Sequence, residues 1–259
     1  MTGAGSVLAL VLLEWTTGWV GAAAWTQSWK VVRRGHFRIT AWIVVALALA
    51  TVGSVFASDS DGTLRALAVA LAGIALAYLV VQYLDSDLPG AAAGGIAAAA
   101  GLVALGSAAT QIHAWPDALA LLGLASGAVF LGAVTNGMML GHWYLNQPGL
   151  KPWALGRLTV LAATGVVASG LLGLASVSLL ADASTAGAVL GLPGFGEDFG
   201  VAFFGVWIVL LGFTGLVVWA ARRCVKIRSI QSATGLYYVA LLTAGVSEFL
   251  VRYLMVNAT

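Results

Sequence analysis

Apolar residues run along this chain in blocks of about 20, separated by short stretches rich in Gly, Pro, Asn and charge. A block of that length crosses the hydrocarbon core of a bilayer as a helix. In order, the blocks predict eight spans, over about 5–25, 39–57, 63–84, 90–110, 116–143, 154–181, 200–221 and 233–255. The runs are continuous rather than alternating, which argues against a transmembrane β-barrel. The expected fold is therefore all-α: a polytopic transmembrane helix bundle of about eight spans. No linker divides the chain, so residues 1–259 are read as a single integral membrane domain. The longest connection, 182–200 (DASTAGAVLGLPGFGEDFG), has glycines and Pro193 that oppose a continuous helix. It is read as a lid over one face or as slack chain. QYLDSDLPG and WYLNQPGLKP, which close spans 3 and 5, echo each other, as duplicated hairpins or as shared turn chemistry.

Composition sharpens the class. Hydrophobic residues make up 61% of the chain and charged ones 8%, with a mean hydropathy of +0.98. Soluble domains carry about a quarter charged residues, so the chain belongs in a membrane. The 33 glycines suit a bundle whose helix backbones approach closely in lipid. A net charge of +2 gives no sign of a nucleic-acid partner. The one cysteine, Cys224, excludes an intrachain disulfide, a four-cysteine cluster and a CxxCH haem attachment. It is read as a free thiol at a helix end. The first span ends in GAAAW, which resembles a cleavage site. No Lys or Arg precedes the apolar run, however, and Glu14 interrupts it, so it is expected to be a retained span.

Charge inside the spans is where chemistry is expected. Glu14 lies in LALVLLEWTTGWVG, near the middle of span 1, and Glu248 lies in LLTAGVSEFLVRYLM, inside span 8, with Arg252 four residues on. An ionisable side chain at the bilayer centre costs about 2.5–3.5 kcal/mol even on lenient scales, and such residues usually face the bundle interior and mark function. Glu248 and Arg252 share one helix face and can pair within the helix. Glu14 has no such neighbour, which makes it the better candidate for a mobile proton. Both carboxylates are expected at similar depth. Structural readings compete: hydrogen bonding across helices for Glu14, and pinning of span 8 for the pair. Asn136 and Gln82 read first as interhelical hydrogen-bonding groups.

The stretch TNGMMLGHWYLNQPGLKPW, residues 135–153, reads mainly as a helix leaving the membrane. Trp143 and Tyr144 suit an interface, Pro148-Gly149 a turn, and Pro152 a helix start. His142 is the exception, able to hydrogen-bond a quinone carbonyl, relay a proton or ligate haem. Haem is disfavoured: His113 lies across the bilayer from His142, and His36 sits in the basic segment VVRRGHFRIT; both His36 and His113 are expected at the surface. No metal site is expected.

LVLLEWTTGWVGAAAW of span 1 and GVSEFLVRYLM of span 8 resemble the two ends of membrane subunits of the polysulfide-reductase type. The resemblance covers the terminal helices and the eight-span plan; GHWYL has no assigned counterpart. It implies a membrane anchor for a molybdopterin or iron–sulfur oxidoreductase that exchanges electrons with quinone. The last helix of that family often carries Glu-x-x-x-Arg, matched by Glu248 and Arg252. Glu14 stands where its first helix often has a polar residue before a Gly/Ala-rich half.

The expected function is thus a quinone-interacting subunit of a respiratory-type electron-transfer complex in a bacterial-type cytoplasmic membrane. Glu14 would transfer the proton, and Glu248, Arg252, His142 and Asn136 would shape the quinone pocket. Electrons would come from a partner subunit's iron–sulfur or haem centre. The alternatives are a proton-coupled transporter and a structural subunit of a membrane complex.

Orientation follows from the basic residues. Lys30, Arg33, Arg34, Arg38, Lys151, Arg157, Arg222, Arg223, Lys226 and Arg228 fall at one end of the spans; only Arg65 and Arg252 fall toward the other. Cytoplasmic loops collect Lys and Arg, so both termini are expected outside. Alkaline phosphatase fused at the C-terminus should be active and green fluorescent protein dark; the reverse pattern overturns this orientation.

Overall fold

The protein is described by a computed structural model covering residues 1, 3–84, 86–112, 115–176 and 198–257, with only the backbone described at 198–201 and 257. These residues form eight helices and no strand: α1 (Gly3–Ser28), α2 (Arg34–Ala57), α3 (Gly62–Val81), α4 (Asp87–Ala109), α5 (Asp117–Trp143), α6 (Trp153–Ala175), α7 (Asp198–Lys226) and α8 (Ile230–Asn257). All eight are long and apolar enough to cross a membrane. Large apolar side chains such as Trp42, Phe56, Val80, Val209 and Leu242 point outward, as lipid-facing surface should.

Every predicted span has its helix, and the ends differ for a physical reason. The helix α2 begins at Arg34 rather than 39, and α7 runs to Lys226 rather than 221. Long cationic side chains can stay helical and still place their charge at the interface. Arg38 does so, lying over the Tyr83 ring at 4.9 Å. The helix α6 ends at Ala175, short of the predicted 181. The predicted lid or slack segment lies outside the described residues, apart from the backbone of 198–200, which opens α7. His113 lies outside them too.

The helices associate as two four-membered rings. In the first, α1 packs on α2, α2 on α3, α3 on α4 and α4 back on α1; α5 to α8 close in the same order. The rings meet along α1 and α5, flanked by α1–α8 on one side and α4–α5 on the other. Exchanging each helix for the one four places later maps this pattern onto itself. The arrangement does not match the sequence echo between spans 3 and 5, which leaves shared turn chemistry as its explanation.

Small residues make the contacts possible. On α4 the buried positions Gly90, Gly94, Ala97, Gly101, Ala104 and Ala108 recur every three or four residues. They form one smooth seam. Against it α1 runs antiparallel, with Gln27 over Gly90, Ala24 over Gly94 and Thr17 over Gly101. The tightest crossing joins the two rings. A Cβ on Gly18 would overlap the Ala128 carbonyl, and a Cβ on Gly132 would overlap the Gly18 backbone. Backbone faces backbone there, so no rotamer change can relieve the clash.

Gly18→Leu should prevent assembly, and Gly18→Ala should already lower stability by about 1–3 kcal/mol, the usual scale of overpacking. Gly53→Ala, where a Cβ meets open space, should leave the melting temperature of the detergent-solubilised protein unchanged. Equal melting of the two alanine variants would count against the close crossing.

Candidate functional site

One helical turn from the Gly18 crossing, toward the end bearing the termini, α1 presents Glu14. The crossing brings it against Gly127 of α5, while α8 packs on both helices and delivers Glu248 and Arg252. Arg252 Nε donates to Glu14 Oε1 at 2.6 Å, and its Nη2 donates to Glu248 Oε2 at 2.7 Å and to the Gly123 carbonyl at 2.9 Å. The glutamates are fully buried and Arg252 is 2% exposed. The expected intrahelical pair is present, but it is part of a three-residue cluster. Glu14, which has no partner on its own helix, shares the arginine of α8.

Glycine makes room for the cluster. A Cβ at Gly127 would lie 2.6 Å from both Arg252 Nη2 and Glu248 Oε2, and 2.9 Å from Glu14 Oε2. Ser169 of α6 donates to Glu248 Oε1 at 3.3 Å, and Ser126 bonds back to the Gly123 carbonyl at 2.7 Å. Beside Arg252, a hollow of about 10 Å³ is lined by Ser126, Ser169 and Trp115, among others. That is about the space one water needs. Glu14 Oε2 is the carboxylate oxygen of the cluster without a hydrogen-bond partner. These serines and glycines escape a residue-by-residue reading. Their signal is spacing: Gly123 and Gly127 lie four apart, on the face of α5 that meets the charged residues.

The other expected pocket residues stand elsewhere. Asn136 is nine residues beyond Gly127, roughly 13 Å along α5 at 1.5 Å per residue. It donates to Thr26 Oγ1 at 2.8 Å and to the Ala22 carbonyl at 3.2 Å, binding α5 to α1. Gln82 likewise joins helices, in a reciprocal amide pair with Gln27 at 2.8 and 3.1 Å. His142 is exposed at the end of α5, away from the cluster. The chain beyond it ties loops together. Gln147 accepts from the Arg33 amide at 2.9 Å and from Trp143 Nε1 at 3.1 Å, and donates to the Val31 carbonyl at 2.8 Å.

His36 corrects the sequence reading. Expected at the surface, it is fully buried. Because α2 starts at Arg34, His36 falls in its first turn and faces inward, with Phe37 at 5.0 Å and Trp143 at 5.8 Å between ring centroids. Asn136 is within reach of the imidazole, but neither ring nitrogen, nor Asn136 Oδ1, nor Thr40 Oγ1 makes a well-formed hydrogen bond.

Arg252→Ala strands two buried carboxylates and should cost about 3–5 kcal/mol. Neutralising Glu248 and Arg252 together, as Gln, still leaves Glu14 without its cation and should recover only part of the loss. The triple change with Glu14→Gln should come nearest to the parent. Thermal melting in detergent reads this order; equal melting of the double and triple variants would separate Glu14 from the pair.

No protein-family model, curated protein or solved structure matches this chain.

Proposed function

We propose that this protein is a quinone-interacting subunit of a respiratory-type electron-transfer complex, with Glu14 as its proton-exchanging group. The observation that carries this reading is the state of Glu14: a fully buried carboxylate near the middle of α1, one oxygen held by Arg252 and the other without a partner. Two carboxylates and one guanidinium sum to a charge of −1, and one added proton brings the cluster to zero. Reduction of a quinone to quinol takes up two electrons, supplied by a partner subunit's iron–sulfur or haem centre, and two protons. Glu14 gives the first proton, is reprotonated from the aqueous phase and gives the second. Glu248 holds Arg252 in place throughout.

A lipid-soluble reactant also needs an apolar approach. A groove of about 480 Å³ lies among α1, α4, α5 and α6, floored by Gly18, Gly21 and Ala22 and walled by Ala98, Leu102 and Val129. Thr17, also in its lining, is three residues from Glu14, and Trp25 lines it farther along α1. Small residues along its floor suit a narrow isoprenoid tail. In this reading the site comprises Glu14, Glu248, Arg252 and the groove. Asn136, which joins α5 to α1, and the exposed His142 stand outside it, and the membrane is a bacterial cytoplasmic one with both termini outside.

A second reading has its own support. The cluster lies where the two four-helix rings meet, and transporters built from paired halves carry their sites near such interfaces. There Glu14 would load and release a proton as the halves rock.

In membranes holding the assembled complex, Glu14→Gln should assemble normally and lose quinone-linked turnover about a hundredfold or more, the scale of a missing proton-transfer group. Ala98→Phe should fill the groove and raise the KM for quinone with little change in kcat. Full turnover in Glu14→Gln would sink the proton role. Proton-driven uptake by the chain alone in liposomes, abolished by Glu14→Gln, would establish the transporter instead.

A further inference from the structure

At the basic end of the bundle, a cavity of about 1190 Å³ opens between α6, the α5–α6 turn and the α7–α8 hairpin. Its lining includes five cations, Lys151, Arg157, Arg222, Lys226 and Arg228, and no acidic residue. Trp25 and Trp153 form part of its wall, and the exposed Val160, seven residues into α6, lies on the membrane side. The cavity also lies at the start of α6, where the helix dipole favours an anion.

Two of these cations stand in unusual settings. Arg157 lies over the Trp153 ring at 4.5 Å and the Trp29 ring at 5.4 Å, which fixes its guanidinium. Arg228 has a φ of +61°, the left-handed region that favours glycine. Its amide donates to the Val225 carbonyl at 3.1 Å, and the Ser229 amide donates to the Cys224 carbonyl at 2.9 Å. These bonds form the helix-ending motif whose left-handed position is usually glycine. A bulky cation stands there despite the backbone cost.

We infer that this cavity binds the headgroup of an anionic phospholipid, with its acyl chains leaving past Val160 into the bilayer. Five cations without a carboxylate would repel one another unless an anion lay among them. The tryptophans set the cavity at headgroup depth, and basic pockets between transmembrane helices are suited to lipid phosphates. Five charges match a lipid with two phosphates better than one with a single phosphate. The site is separate from the Glu14 cluster, and its occupancy does not depend on what that cluster does.

The test is native mass spectrometry of the full chain in non-ionic detergent, titrated with diphosphatidylglycerol, phosphatidylglycerol, phosphatidylcholine or sodium pyrophosphate. Diphosphatidylglycerol should bind most tightly and phosphatidylcholine least, and pyrophosphate should not displace the lipid at equal concentration. Each charge removed should weaken binding about fivefold, so Arg157→Gln with Arg222→Gln should lose roughly 25-fold. Arg228→Gly should weaken binding about fivefold and melt no lower than the parent, because glycine accepts the left-handed backbone freely. Arg65→Gln, at the far end of the bundle, should bind as the parent does. Equal retention of phosphatidylcholine, or full binding in the Arg228 and double variants, overturns the site. Displacement by pyrophosphate at equal concentration overturns the lipid assignment in favour of a soluble anion.

Discussion

Three charged side chains meet in the middle of a bundle built for lipid, and much of the central architecture follows from that demand. A lone carboxylate at such depth is costly. Two of them around one guanidinium are tolerable only when the hydrogen bonds are short and the site excludes anything bulky. Glu14, Glu248 and Arg252 meet the first condition with contacts of 2.6 and 2.7 Å. Gly127 meets the second, because any side chain there would displace the ions. The same requirement explains why α1 and α5 cross so closely at Gly18. Wider spacing would pull Glu14 out of reach of Arg252.

Polar groups elsewhere in the spans serve association. Gln27 with Gln82, Asn136 with Thr26, Trp15 with Thr135 and Tyr237 with Thr159 each join two helices by a side-chain hydrogen bond. In lipid such bonds add to packing where water offers no hydrophobic drive. The charged cluster differs in kind. Its carboxylates outnumber its cation, an imbalance of charge that no neutral pair carries. That excess ties the site to proton chemistry in both functional readings. The groove beside α1 favours a lipid-soluble reactant, while the position between two rings favours alternating access.

The two ends of the molecule are chemically unlike. The end bearing the termini is acidic, with Asp59, Asp61 and Asp117 against Arg65, and holds its loops by amide bonds, such as Gln111 with Asp61. The opposite end gathers cations around tryptophans, with Arg157 and Arg223 both lying over indole rings. A membrane with an anionic leaflet would meet that end electrostatically.

The eight spans, their order and the membrane class could be read from the chain itself, because burying about 20 apolar residues needs a helix and nothing else. Glu14, Glu248 and Arg252 stood out for the same reason: charge in such a run is conspicuous. Glu248 and Arg252 could even be paired from sequence, since a four-residue spacing is a local property of a helix. Other facts were set by helix packing alone. That Glu14 shares the same arginine depends on a crossing between residues more than a hundred positions apart, at glycines that look like any others among the chain's 33. The burial of His36 turned on where α2 begins, and a basic segment hides that. Asn136 and His142 lie on the same helix as Gly127, yet the length of that helix keeps them from the cluster. Sequence names the residues that lipid will not tolerate; only tertiary packing decides which of them meet.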